Sequence, residues 1–95
     1  MKVKVGDIIT AYHKGYHRVD EIKPRENPPT PNNFLVYYTK VANNNGKPSR
    51  KSKNCCHIDY CDVLNEKHIE DMYSHDLAAA EIKKKNLLKV LKENE

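Results

Sequence analysis

Tryptophan is absent, phenylalanine occurs once and glycine only three times in 95 residues. Without large aromatics, a core must be assembled from Leu, Ile, Val and the six tyrosines. The few glycines leave no phosphate-cradling loop and no nucleotide-binding fingerprint, and no Ser-His-Asp set or nucleophile elbow stands in for them. Long apolar runs are also missing. Nothing approaches the roughly 18 residues that a membrane span needs, and the opening MKVKVGDII offers too few apolar residues before Asp7 for a signal h-region. A soluble, cytoplasmic chain is expected. The three cysteines, Cys55, Cys56 and Cys61, are an odd number within seven residues, a poor basis for a disulfide framework and at home in a reducing compartment.

What is present is charge, unevenly placed. Residues 1 to 64 carry eleven Lys/Arg against six Asp/Glu, whereas residues 65 to 95 carry six against seven. The positive field therefore belongs to the first two-thirds. With 38% hydrophobic and 32% charged residues, the chain is polar but keeps enough apolar material for one small core. Its richness in Lys, Asn and Tyr resembles small proteins of AT-rich genomes, including those of large tailed phages.

The pattern divides the chain into a β-rich part over 1–64 and a helical part over 65–95. Val3, Ile8, Ile9, Val19 and Ile22 are β-branched, with breaks at Gly6-Asp7 and Lys14-Gly15, which predicts a hairpin turning at Lys14-Gly15. A two-residue turn there sets Tyr12 opposite His17 and Thr10 opposite Val19. Residues 24–33 hold four prolines and read as a mobile loop. A strand follows over Phe34 to Val41, a polar loop over 43–54, and a second strand over Cys55 to Cys61. From Asn65 the period becomes helical: Ile69, Met72, Tyr73, Leu77, Ala80, Leu87, Leu88 and Leu91 share one arc at 100° per residue. Asn65 or Asp62 can cap this helix, and a break near Ser74-His75 is compatible with the pattern. The expected fold is α+β, a small and strongly bent antiparallel barrel followed by one long C-terminal amphipathic helix. The segment Val3-Lys4-Val5-Gly6-Asp7-Ile8-Ile9 resembles the opening of SH3-like small barrels, the group that holds KOW, Tudor-type and MazF-type domains.

Between Lys40 and Lys53 lie five cations (Lys40, Lys47, Arg50, Lys51, Lys53) and no anion. Such a loop can lie along a phosphate backbone, or it can be a solvated loop kept soluble by its charge. Tyr12, Tyr16, Tyr37, Tyr38 and Tyr60 lie on expected strands and offer faces for stacking bases; Tyr12, Tyr16 and Tyr37 or Tyr38 are expected to stack, with Lys83, Lys84 and Lys85 extending the patch. Tyrosine is equally ordinary core material. The expected function is binding of RNA or other single-stranded nucleic acid with low sequence specificity. The alternative is a protein-interaction module, such as an inhibitor of a host RNA-processing toxin or defence factor encoded by a phage. The resemblance also admits a MazF-like endoribonuclease, with His13 and His17 as acid and base or as exposed turn residues. Here Tyr16-His17-Arg18-Val19 runs into Asp20-Glu21 where that family has its Arg-Pro, so the activity does not carry over and no enzyme is expected.

The Cys-Cys-His-x-x-x-Cys cluster has ligand types suited to zinc, but an extended strand would hold His57 and Cys61 about 13 Å apart. Neither metal nor cofactor is expected, and the cysteines read as small hydrophobes. The helical stripe, roughly 33 Å long, exceeds what so small a barrel can cover. A homodimer through Leu77, Leu87, Leu88 and Leu91 is therefore expected.

Overall fold

The computed structural model describes residues 2–72 and 75–94. Strands β1 (Ile8–Thr10), β2 (Tyr16–Pro24), β3 (Phe34–Ala42) and β4 (Lys53–His57) lead through a 3-10 turn (Ile58–Tyr60) into β5 (Asp62–Val63). Helices α1 (Glu66–Glu70) and α2 (Leu77–Glu93) follow. All pairings are antiparallel, and the sheet order is β4-β3-β2-β1-β5.

This order forces the sheet to curl. β4 and β5 occupy opposite edges, yet only residues 58–61 join them. Across a flat five-stranded sheet the edges would stand about 19 Å apart at about 4.8 Å per spacing. A link containing a 3-10 turn, which rises about 2 Å per residue, cannot span that distance. Register shifts at Tyr16/His17 and at Val19/Glu21, where Asp20 is left unpaired, supply the bends. Strong bending is thus present, but barrel closure is not: among the described residues β4 and β5 do not pair, and the sheet stays open.

Adjacent Ile8 and Ile9 point to opposite faces of β1 and enter two different cores. Ile9 joins Val3, Val19, Val36, Tyr38, Ile58 and Cys61. Ile8 joins Tyr16, Ala42, Leu64, Ile69, Leu87 and Val90, which ties the other face to the helices. Gly46 is where α2 meets the sheet. Its φ is 81°, and a Cβ there would lie 2.7 Å from the Asn86 Cβ and 3.2 Å from the Leu87 nitrogen. The Asn86 amide donates to the Asn45 carbonyl at 3.1 Å and fixes the contact.

Several expectations are corrected. The first hairpin has a five-residue loop, Ala11 to Gly15, and pairs Ile8 with Arg18 and Ile9 with His17, rather than Tyr12 with His17. Gly15 is not a turn tip. It lies against β3, where a Cβ would come 2.6 Å from the Ala42 carbonyl oxygen, and its φ of 99° suits glycine. The strand expected over Cys55 to Cys61 breaks after His57, because Ile58 and Cys61 both turn into the core. The long helix is two, capped by the side chains of Asn65 and Asp76. Tyr73 of the apolar stripe and Ser74 of the break lie outside the described residues. The loop expected over 43–54 pairs with β3 through an Ala42–Pro48 bridge and a hydrogen bond donated by the Lys40 amide to the Ser52 carbonyl, so it runs beside β3 as a continuation of β4. The proline stretch is a loop, as expected, closed by Arg25 donating its amide to the Asn33 carbonyl.

Candidate nucleic-acid interface

The Ala11–Gly15 loop carries the most exposed aromatic on the described surface. Tyr12 is 72% exposed, and Tyr60, on the 3-10 turn, is 60% exposed. Their ring centroids stand 5.8 Å apart with planes at 66°, an edge-to-face pair. The ring of His13 meets Tyr12 at 5.5 Å and 89°. Two aromatic rings are thus held in water rather than in a core.

Two histidines moor the loop to the first core. His13 Nδ1 lies 2.6 Å from the Tyr38 hydroxyl. Burial, aided by the Cys56 thiol, holds the Tyr38 hydroxyl well above its ordinary pKa, so it stays protonated. The other mooring is His17, 1% exposed, whose Nε2 donates to the His13 carbonyl at 3.0 Å. Burial lowers the His17 pKa, with the nearby His13 and Lys40 charges acting the same way against the raising effect of that hydrogen bond. His17 is therefore a neutral core ring, packed at 4.5 Å against Tyr38, and its Nδ1 has no partner among the described residues. A side chain so enclosed cannot meet a substrate, and the pairing of His13 with His17 as acid and base has no geometric support. Nor are both histidines exposed turn residues.

On the other flank of the loop, Lys14, Gly15, Lys40, Asn43, Asn44 and Asn45 line a cleft of about 340 Å³. The Gly15 amide donates to Asn44 Oδ1 at 2.9 Å, which joins the loop to the turn after β3. Lys47 belongs to that turn as well, since its carbonyl accepts from the Asn43 amide and its own amide donates to Asn45 Oδ1. The loop thus meets Tyr60 through Tyr12 and borders, through Lys14 and Gly15, a cleft lined by Lys40 and a row of amide side chains, with Lys47 in the adjoining turn.

Of the residues expected to form the site, Tyr12 stands on the loop against Tyr60, Lys40 lines the cleft and Lys47 belongs to the adjoining turn. Lys85 is exposed on α2, next to the Asn86 that holds Asn45. Tyr16 is only 5% exposed and packs in the second core, so it cannot stack on a base. Tyr37 is half-buried on the outer face, opposite to buried Tyr38, with Lys23 Nζ 5.4 Å from its centroid. Lys53 pairs with Thr39 on that same outer face. Lys51 lies with Arg18, Ser49 and Glu93 along a separate groove, and Arg50 is exposed beyond it. Lys83 and Lys84 are partly covered on α2.

Sequence reasoning counted Tyr60 among the strand tyrosines with stacking faces but left it out of the expected site, and it missed Lys14 and the Asn43–Asn45 run. Tyr60 read as a strand residue, because nothing in periodicity marks a three-residue turn. The run Asn43-Asn44-Asn45-Gly46 was legible as a turn, but its meeting with Gly15 is a tertiary contact.

The expected dimer residues also divide. Leu87 is fully buried in the chain's own core and Leu91 packs against it, while Leu77 is 74% and Leu88 41% exposed. The distance argument against a metal is overturned in its premise, since the 3-10 turn brings the Cys56 and Cys61 sulfurs to 3.7 Å. Among the described residues no three of His, Cys, Asp or Glu converge. No helix among them is long and apolar enough to cross a membrane. No family model matches the chain, and no match was found among curated proteins or among solved structures.

Proposed function

We propose that the protein binds single-stranded nucleic acid, with low sequence specificity, at the end formed by the 11–15 loop, the 3-10 turn and the 43–47 turn. The observation that carries this reading is the exposed Tyr12–Tyr60 pair beside a cleft holding Lys14 and Lys40. Every base has a π-face, so rings held in water provide stacking that tolerates any sequence. Lysines close by neutralise phosphates and release counterions. The return of β5 onto β1 after the meander β1-β2-β3-β4 supports grouping the sheet with SH3-like small barrels, as an open variant.

A titration of a labelled single-stranded RNA between about 50 mM and about 500 mM salt tests the reading. Replacing Lys14, Lys40 and Lys47 together by Gln should flatten the slope of log K against log salt by about 2, at roughly 0.7 per phosphate contact. Tyr12→Ala or Tyr60→Ala should cost about 1–3 kcal/mol of affinity and leave the slope nearly unaltered, because stacking releases no counterions. Wild-type binding that does not weaken with salt would sink the proposal.

A second reading is favoured by one observation. Leu77, Ile82 and Leu88 are exposed on α2, which suits a protein partner or a second copy of this chain.

A further inference from the structure

We propose that Cys56 and Cys61 are a reactive dithiol, closed by a peroxide into an intramolecular disulfide. The two sulfurs stand 3.7 Å apart across the corner where β4 passes through the 3-10 turn towards β5. That is contact distance, reached without moving either strand out of the sheet.

The two thiols are unequal, which sets the order of events. Cys61 is fully buried, its Sγ 3.8 Å from the His57 carbonyl oxygen, and burial pushes its thiol up to about 12. It remains a thiol and is shielded from solutes. Cys56 is only partly covered and is the sulfur that meets the oxidant. Cys55, adjacent in sequence, points to the other face of β4, where it pairs with Tyr37 and is exposed. Facing away from Cys56, it takes no part.

In the first step the Cys56 sulfur attacks one oxygen of hydrogen peroxide. The O–O bond breaks, an S–O bond forms, and the thiol proton leaves with the departing hydroxide as water. Sulfur is oxidised by two electrons and the peroxide is reduced. In the second step the Cys61 sulfur attacks Cys56 Sγ, the S–O bond breaks as the S–S bond forms, and the Cys61 proton joins the departing hydroxide as a second water. Two thiols and one peroxide thus give one disulfide and two waters. A dithiol reductant reverses the change.

The test is independent of nucleic-acid binding. The variant Cys55→Ser, altered only at an exposed position, is treated with hydrogen peroxide, denatured, and alkylated before mass analysis. The expected product is a monomer lighter by two hydrogens that takes up no alkyl group, and that regains two alkylation sites after reduction. In Cys61→Ser, Cys56 should instead stop at the sulfenic acid and be captured by dimedone. Should the oxidised Cys55→Ser chain still alkylate at both cysteines, or should its disulfide link two chains, the proposal is overturned. Both of those readings come from the variant altered on the surface, so they stand even if Cys61→Ser folds poorly.

Discussion

His17 shows how a single residue can look functional in a sequence and prove structural. A histidine two positions past a glycine turn resembles an exposed acid or base, but the observed register places it opposite Ile9, under the Tyr38 ring. Its pKa in the fold lies below the ordinary 6.5, chiefly because burial penalises the charged form. The unfolded chain therefore binds more protons than the native one at pH values from 6.5 down to the folded pKa, and stability rises with pH across that window. The contribution is complete above about pH 6.5 and is lost as the pH falls below it. Urea unfolding of wild type and His17→Phe, followed from pH 7.5 downward by roughly two units, should show the steeper loss in wild type. Parallel curves would mean that His17 is not the group that titrates.

At the scale of elements, the contact between the 43–47 turn and α2 is the most exposed to a small change. A methyl group at Gly46 would strike the backbone of α2 at a residue whose φ already disfavours a side chain. Gly46→Ala should cost about 1–3 kcal/mol in urea unfolding from backbone strain alone, with further loss as α2 is pushed off the sheet. Asn86→Ala removes only the hydrogen bond to Asn45 and should cost about 1 kcal/mol. Equal losses from the two would mean that Gly46 is not a close-packing position. Much of the local structure here was legible in the sequence. β3 was expected over Phe34 to Val41 and extends one residue further, because alternating β-formers leave little choice. Asn65 was a visible cap. The meeting of Gly15 with β3, of Gly46 with Leu87, and of Cys56 with Cys61 was not legible, since each depends on the curl of the sheet. That curl follows from strand order and bulges, to which periodicity is blind. The candidate site was hidden in the same way: Lys40 and Lys47 were visible one by one, whereas the turn that lifts Tyr60 beside Tyr12 was not.

For the molecule as a whole, the outline is elongated, 49 × 25 × 22 Å with a radius of gyration of 14.0 Å. A compact chain of this length would have a radius of about 12.4 Å. The second core buries Leu87 and Val90 in the C-terminal half of α2, while Leu77 and Ile82 near its start remain in water. Burying one such side chain is worth about 1.5–3 kcal/mol, so pairing two copies through this end offsets part of the cost of association. Leu77 and Leu88 fall on one flank of the helix, within about 20° of each other at 100° per residue, with Lys84 between them. These exposed positions, rather than the buried Leu87, are the ones that can report on assembly. Leu77→Asp combined with Leu88→Asp should leave the circular dichroism spectrum nearly unchanged while reducing the sedimentation mass to that of one chain. Leu87→Asp should instead unfold the protein, since it sets an unpaired charge among Ile8, Tyr16 and Ile69. If wild type and the double variant sediment alike over a wide concentration range, α2 is not a self-association surface, and its exposed leucines are left for a different partner.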